Sequence, residues 1–161
     1  ALHAKHLSLK LFDLPPVLEL AKATFQSKGL IDRLSLYPGN FLHDPLPQGA
    51  DLVTLVRVAH DHPDAVVQQL LQKIHDALPA GGTLLLAEPM ANTYSQGVDG
   101  LTQTDAYFHF YLLAMGAGRL RTPEELMGMM RKAGFMGVEQ VPNNMPIHAQ
   151  ILLGRKHKCL P

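Results

Sequence analysis

The sequence predicts an α/β fold built around a mostly parallel sheet. Segments typical of strands and of helices alternate along the 161 residues, which is the pattern of successive βα units. Two short, largely apolar runs, Leu52–Val58 and Thr83–Ala87, have the hydrophobicity of strands buried on both faces. Hydrophobic residues make up 47% of the chain, which is enough for one core but hardly for two. We therefore expect a single domain with helices on both faces of the sheet.

The first fifty residues predict a strand, a helix and a second strand. The strands cover Leu7–Asp13 and Arg33–Tyr37. Between them, Pro15-Pro16 opens a helix over Val17–Lys28, because proline is well suited to the first helical turn, and Gly29 ends it. This order of elements is that of one parallel βαβ unit.

The middle of the chain repeats this order. A strand over Leu52–Val58 is followed by a helix over Pro63–Leu78, which Pro79 and the two glycines after it terminate. The next strand, Thr83–Ala87, carries Glu88 at its far end. Both strands thus end in polar residues, which we expect to lie at one edge of the sheet.

The last seventy residues depart from this rhythm. Ala91–Gly100 is polar and contains glycine, and it predicts a mobile loop. Asp105–Met115 is apolar and aromatic and predicts a helix that lines a pocket. Thr122, followed by Pro123 and Glu125, has the pattern of a capping box that starts a helix ending at Gly134. Two final strands, Phe135–Val141 and His148–Leu153, are expected to pair antiparallel.

Composition excludes several classes of function. Lysine plus arginine and aspartate plus glutamate both total 14, so charge gives no reason to expect a nucleic-acid partner. The single cysteine, Cys159, excludes an internal disulfide framework and fits a reducing cytoplasm. No apolar run approaches the roughly 18 residues of a membrane span, so we expect a cytoplasmic protein, with membrane association through its substrate left open. The nine histidines show no His-x-x-x-His or Cys-x-x-Cys grouping, and no metal is expected.

The turn after Leu52–Val58 is the first candidate for a functional site. The chain changes there from apolar to His60-Asp61-His62. In open α/β sheets, ligands bind in the crevice outside the carboxyl ends of the strands. Imidazole titrates near neutral pH, which makes His60 a candidate general base. The alternative is a histidine with a purely structural role.

Six short motifs, taken in order, resemble one known family. They are Asp13-Leu14-Pro15, Gly39-Asn40-Phe41, His60-Asp61-His62, Leu78-Pro79-Ala80-Gly81-Gly82, Leu86-Ala87-Glu88 and Arg121-Thr122-Pro123-Glu124-Glu125-Leu126. In this order the chain resembles the C-terminal catalytic part of class I, S-adenosylmethionine-dependent O-methyltransferases. Within that family, Asp51–Val58 and Tyr107–Gly116 are most similar to the bacterial hydroxycarotenoid O-methyltransferases.

The resemblance implies a Rossmann-like class I methyltransferase sheet with helices on both faces and an antiparallel C-terminal hairpin. It also implies that the family's first strand and glycine-rich loop lie outside this chain, together with an N-terminal helical domain. Residues 1–161 would then form a partial catalytic domain. The parent protein would be a homodimer through that N-terminal domain.

The resemblance assigns S-adenosylmethionine as cofactor and proposes residues that bind it. Asp13, with Leu14 beside it, would accept hydrogen bonds from the ribose hydroxyls; the alternative is a helix N-cap. Gly39, Asn40 and Phe41 would contact adenine, although Asn40 replaces the family's usual aspartate and loses charge assistance. The alternative for Asn40 is a turn residue. Arg57 and Asp61 would also lie beside the cofactor.

By the same resemblance, His60 is the base that takes the proton of the acceptor hydroxyl, and Glu88 orients its imidazole. A solvated acid at a strand end is the alternative for Glu88, and Asp61 is an alternative partner for His60. The third catalytic acid of the plant enzymes would fall at Leu120. That leucine argues against a plant-type phenol mechanism and is compatible with an apolar acceptor.

Aromatic residues and methionines suggest a wide apolar pocket for a hydrophobic small-molecule substrate. Our leading hypothesis is an O-methyltransferase that acts on the 1-hydroxy group of an acyclic carotenoid. A polyketide or phenolic O-methyltransferase of the same family, or a non-catalytic fragment that does not bind cofactor alone, are the alternatives. The pocket residues are Tyr107, Phe110, Tyr111 and Met115, joined by Met127 and Met130, all of which an ordinary core would equally explain.

Overall fold

The computed structural model describes residues 3–91, 103–143 and 149–157. These form two compact units, Ala1–Ala50 and Asp51–Pro161. Each unit contains its own sheet, whereas the sequence predicts one. The predicted mobile loop, from its second residue onward, and Cys159 lie outside the described residues.

The first unit is a β–α–β unit with a parallel strand pair. It consists of β1 (Leu9–Asp13), α1 (Pro15–Ser27), a short 3-10 turn (Ile31–Arg33) and β2 (Leu34–Pro38). Strands β1 and β2 pair over their whole length, and Asp13 lies opposite Pro38. The last residue of β1 therefore lies beside the residue that follows β2, and the Gly39 N–H donates to the Asp13 carbonyl oxygen at 3.0 Å.

The second unit has a four-stranded mixed sheet in the order β3-β4-β6-β5. The α2 crossover makes β3 and β4 parallel, while β6 runs antiparallel to both β4 and β5. The α/β class and the antiparallel pairing of the last two strands are thus confirmed. The elements are β3 (Leu52–Val56), α2 (Asp64–Ala77), β4 (Thr83–Pro89), α3 (Gln103–Met115), α4 (Pro123–Lys132), β5 (Met136–Val141) and β6 (Ala149–Arg155).

The core of the second unit lies between its helices and the central strands β4 and β6. Along α2 the buried side chains recur at i, i+3, i+4 and i+7, the spacing of one helical face. Burying a side chain of this size stabilises the fold by about 1.5–3 kcal/mol. Met130, one of the methionines proposed for the pocket, is fully buried in this unit. The other core residues include Val67, Leu70, Leu71, Ile74, Leu84, Leu86, Leu126 and Leu152.

Helix α4 begins with the predicted capping box. The Thr122 side chain accepts a hydrogen bond from the Glu125 N–H, and the Glu125 carboxylate accepts one from the Thr122 N–H. Pro123 occupies the first helical position, where no N–H is needed. No described helix is long and apolar enough to cross a membrane.

At the ends of β3 and β4, where the structure differs from the sequence prediction, the difference shapes the site. Strand β3 stops at Val56 because Arg57 adopts a left-handed φ of 55°, and a 3-10 turn over Ala59–Asp61 follows. Strand β4 continues to Pro89 because β6 pairs with it as far as Ala149. Glu88 therefore lies inside β4 and not beyond its end.

Candidate active site

His60 is held inside the turn that follows β3. Its side chain is only 4% exposed, and each ring nitrogen faces a carboxylate. Nδ1 lies 2.7 Å from Oε2 of Glu88, and Nε2 lies 3.3 Å from Oδ1 of Asp61. The structure thus brings together the predicted base, its predicted orienting residue and the alternative partner.

Glu88 is a buried carboxylate that main-chain N–H groups satisfy. It is 1% exposed, and its Oε1 accepts hydrogen bonds from the N–H groups of Val58 at 2.6 Å and Ala59 at 2.9 Å. The N–H of His60 approaches Oε2 at 3.4 Å. Burial of a charge is costly unless hydrogen bonds compensate it, and this turn supplies them. A solvated acid at a strand end does not describe this residue.

The shorter of these two contacts favours one tautomer of the neutral His60 imidazole. A carboxylate that already accepts main-chain N–H groups acts as an acceptor, so Nδ1 is the nitrogen that donates to it. In the neutral imidazole the proton then sits on Nδ1, and Nε2 carries the lone pair. When Nε2 gains a proton, Asp61 and Glu88 flank the resulting cation. The arrangement therefore suits a residue that takes up a proton through Nε2.

Arg121 is a second buried charge beside the same turn. It is 1% exposed, and its guanidinium donates to the carbonyl oxygens of Ala59 at 2.8 Å and His62 at 2.7 Å. Its Nε donates to Oδ1 of Asp64, the first residue of α2, at 2.9 Å. Sequence reasoning missed this residue as part of the site, because an arginine among charged neighbours suggests a solvated surface.

Asp64 and Glu125 share a neighbouring arginine, Arg119, at the outer side of this cluster. The hydrogen bond from Arg119, helped by Arg121, lowers the pKa of Asp64 from 3.8 to about 2. The Arg119 hydrogen bond also lowers the pKa of Glu125, and the two carboxylates raise the pKa of Arg119. All three side chains are more than a third exposed, so solvent screens these interactions.

The residues predicted to contact ribose and adenine lie at the carboxyl ends of β1 and β2. Asp13 does not cap α1: its Oδ1 accepts from the adjacent Leu14 N–H at 2.7 Å, and the N-cap makes no side-chain bond. Asn40 serves a turn, because its amide oxygen accepts from the Leu42 N–H at 2.9 Å. An added Cβ at Gly39 would lie 2.5 Å from the Phe12 ring.

The predicted cofactor residues thus fall in both units. The pairing of the strands brings Asp13 and Leu14 together with Gly39, Asn40 and Phe41 in the first unit. In the second unit, Arg57 precedes the turn that holds His60, and Asp61 is the last residue of that turn. The Arg57 N–H donates to the Ala87 carbonyl at 2.9 Å. Each group belongs to its own compact unit.

Four of the residues predicted for a substrate pocket lie on α3 and are exposed, whereas Met127 and the buried Met130 lie on α4. Tyr107, Phe110 and Met115 are 66%, 72% and 61% exposed, and Tyr111 is 39% exposed. Leu112 of the same helix is buried and forms an apolar cluster with Leu120 and Ala91. The position of the missing third acid is therefore occupied by a core side chain. Among the described residues, no group of three histidine, cysteine or acidic side chains is arranged to hold a metal.

Comparison with known proteins identifies the family. The family model of the O-methyltransferase domain matches residues 3–136. The chain belongs to this family. The resemblance inferred from the six motifs is thereby confirmed.

Two curated relatives and one solved structure illustrate the likeness. Demethylspheroidene O-methyltransferase of Rhodobacter capsulatus is 47% identical, over 91% of this chain and 35% of the relative. The Cereibacter sphaeroides protein of the same name is 41% identical, over 87% of this chain and 36% of the relative. The structure of human N-acetylserotonin methyltransferase in complex with SAM superimposes with a TM-score of 0.76 at 28% identity, covering 92% of this chain and 40% of the human one. The chain thus spans about a third of the length of the curated relatives it matches.

Proposed function

We propose that the complete protein transfers a methyl group from S-adenosylmethionine to a hydroxyl group of a hydrophobic small molecule. The observation that carries this proposal is the buried pair of His60 and Glu88, in which Nδ1 faces the Glu88 carboxylate and Nε2 lies beside Asp61, so that a proton taken up at Nε2 would be flanked by two carboxylates. Family membership and the two demethylspheroidene O-methyltransferases among the relatives support it. We take the 1-hydroxy group of an acyclic carotenoid as the preferred acceptor.

In this proposal His60 acts as a general base late in the reaction. Methyl transfer is an in-line displacement, so the site mainly aligns the reacting atoms. A tertiary alcohol is a poor acid, and its proton therefore leaves in concert with methyl transfer to the oxygen. Nε2 of His60 takes this proton, while Glu88 holds the Nδ1–H and stabilises the imidazolium that forms. Asp61 adds a second negative charge at 3.3 Å from Nε2.

The residues at the ends of β1 and β2 fit the nucleoside part of the cofactor. Asp13 offers a carboxylate to ribose hydroxyls, and its placement at a strand end, free of a capping role, supports that assignment. Gly39 and Phe41 offer main chain and an aromatic ring to adenine. Asn40 contributes less than an aspartate would, because its amide oxygen already serves the turn. When bound, S-adenosylmethionine supplies the electrophilic methyl group on its sulfonium.

The acceptor is proposed to lie against helix α3. Tyr107, Phe110, Tyr111 and Met115 expose a large apolar surface there, which a long hydrophobic substrate would cover. Leu120 occupies the position of the third acid of the plant enzymes, and its buried side chain provides no carboxylate to this region. We further propose that the enzyme is a cytoplasmic homodimer that meets its lipophilic acceptor at a membrane surface.

The test uses the complete enzyme with S-adenosylmethionine and a panel of acyclic hydroxycarotenoids, polyketides and phenols. We expect turnover with a 1-hydroxycarotenoid and a loss of at least about 100-fold in kcat for His60→Ala, with cofactor affinity retained. His75→Ala is the matched control, since it removes another packed imidazole, one whose ring meets Phe135 edge to face. Unchanged turnover in His60→Ala would refute the base, and activity confined to phenols would refute the acceptor class.

A further inference from the structure

We propose that Arg121 is a positioning residue that, together with Gly118, fixes the turn carrying His60. This inference rests on the proposed function of His60 as a base. In the proposed mechanism neither residue contacts the reacting atoms. Each acts through the main chain of the turn that carries His60. Gly118 and Arg121 are thereby proposed to set the position of the His60 imidazole without touching the reacting atoms.

Arg121 holds the turn from both ends. The carbonyl oxygens it binds belong to Ala59, the first residue of the 3-10 turn, and to His62, the residue just after it. His60 lies between these two anchor points. The guanidinium also binds Asp64 at the start of α2, so the turn is tied to the rigid helix that follows it.

The geometry requires an arginine at this position. The guanidinium is a planar fork with five donors. Here Nη1 donates to Ala59 and Nη2 to His62, while Nε and Nη2 both lie within bonding distance of Asp64. A lysine ammonium keeps the charge, but it is a compact point donor that cannot span acceptors arranged in this way. Replacement by lysine should therefore loosen the turn while leaving the positive charge beside Asp64.

Gly118 packs closely against main-chain atoms of the same turn. It adopts a left-handed φ of 86°, and a Cβ added there would overlap the carbonyl oxygen of His60 and lie 2.7 Å from the carbonyl carbon of Asp61. These neighbours are main-chain atoms, which cannot rotate aside as a flexible side chain can. Any side chain at Gly118 must therefore displace the main chain of His60.

Glu88 and Arg121 together bracket the turn. Glu88 accepts from N–H groups at the beginning of the turn, and Arg121 donates to carbonyl groups at its two ends. The imidazole direction depends on this main-chain position, and a displacement of about 1 Å in a catalytic group can cost on the order of 100-fold in rate. If Arg121 had only a structural role, its replacement would lower the thermal stability of the enzyme without changing kcat in the folded state.

The first experiment compares Arg121→Lys with Arg119→Lys in the complete enzyme, using S-adenosylmethionine and the acceptor found in the panel above. Arg119 is the matched control because it pairs with Asp64 and Glu125 at the surface and makes no contact with the carbonyls of Ala59 and His62 in the described structure. At a temperature at which both variants are folded, we expect Arg121→Lys to lower kcat about 10- to 100-fold with KM nearly unchanged. In ¹⁵N-histidine NMR spectra, the His60 signal should lose its defined Nδ1–H tautomer. A kcat within twofold of the control would overturn the proposal.

The second experiment keeps the proposal testable if Arg121→Lys does not fold. Gly118→Ala is compared with Gly116→Ala, since both glycines have a left-handed φ but an added Cβ at Gly116 has no neighbour within 4 Å. The strain of the backbone is thus common to both variants, and only Gly118→Ala displaces the His60 carbonyl. We expect kcat to fall about 10-fold or more in Gly118→Ala relative to Gly116→Ala. Equal kcat values would overturn the role of this segment.

The two proposals fail in different ways. If His60→Ala keeps its turnover, the base itself is wrong, whatever the Arg121 and Gly118 variants show. If His60→Ala is inactive while Arg121→Lys and Gly118→Ala match their controls, the base stands and only the positioning role is refuted.

Discussion

Glu88→Gln in the complete enzyme isolates what the orienting carboxylate contributes, because glutamine has nearly the same shape. Four donors point at the Glu88 carboxylate: three main-chain N–H groups and Nδ1 of His60. A glutamine oxygen can keep the bonds from Val58 and Ala59. Its NH₂ group must then face the N–H and Nδ1 of His60, which are both donors in the wild type. The imidazole can satisfy the NH₂ group only by moving its proton to Nε2.

The substitution is expected to lower both the free energy of unfolding and kcat. Loss of a charge-assisted bond to the buried carboxylate lowers the free energy of unfolding by about 1.5–3 kcal/mol. In the proposed mechanism Nε2 accepts the proton of the hydroxyl group. With a proton already on Nε2, that nitrogen no longer carries a lone pair, and general-base catalysis worth about 10²–10⁴-fold is lost. We therefore expect kcat to fall by that factor while the enzyme remains folded.

The assay measures kcat at saturating substrates together with the tautomer of His60 from ¹⁵N-histidine NMR. Glu125→Gln is the control, since it makes the same chemical change at a surface carboxylate of the capping box, where glutamine is also accepted. If Glu88→Gln turns over within threefold of this control while its NMR spectrum shows the Nε2–H tautomer, the orienting role is refuted.

Two further predictions concern stability. The pKa of Asp64 is lowered to about 2 from 3.8, so the ionised carboxylate stabilises the fold above about pH 4, and this stabilisation is lost as the pH falls toward 2. Because the side chains are exposed, the effect is limited to about 1 kcal/mol or less. Between pH 5 and pH 2, urea unfolding should show a smaller decrease in the free energy of unfolding for Arg119→Gln than for the wild type. The same decrease in both proteins would contradict this prediction. Thr122→Ala should lower the free energy of unfolding by about 1 kcal/mol through loss of the cap of α4, whereas Thr24→Ala, in the exposed part of α1, should change it little.

Local patterns predicted most of the elements correctly. The capping box at Thr122, the proline start of α1 and the end of α2 just before Pro79 all depend on residues close in sequence. The positions of strand ends were less accurate, because they depend on pairing partners that are distant in sequence. Strand β4 reaches Pro89 only because β6, more than sixty residues later, pairs with it.

The sequence indicated the parts of the candidate site that depend on neighbouring residues, and it did not indicate the parts that depend on residues distant in sequence. A polar turn after a buried strand was enough to indicate His60, and the family motifs added Glu88. Arg121 lies in the last of the six motifs and Arg119 does not, but the sequence assigned neither of them a role. In the structure Arg121 is 1% exposed, whereas Arg119 lies at the surface. Their difference arises from the packing of residues 118–121 against a turn some sixty residues earlier in the chain.

The charged groups that bind the turn of His60 explain why a histidine can be buried here. A carboxylate and a guanidinium, each 1% exposed, lie on either side of the turn, and each charge is satisfied largely by main-chain groups of that turn. Breaking one partner of such an arrangement leaves a buried charge uncompensated, which costs more than the bond itself contributes. The turn therefore has little freedom to vary its geometry, which is the property that a base aligned with an in-line displacement requires. In the proposed mechanism, the charged groups around His60 therefore serve mainly to fix the position of the imidazole, and their contribution to the stability of the fold is secondary.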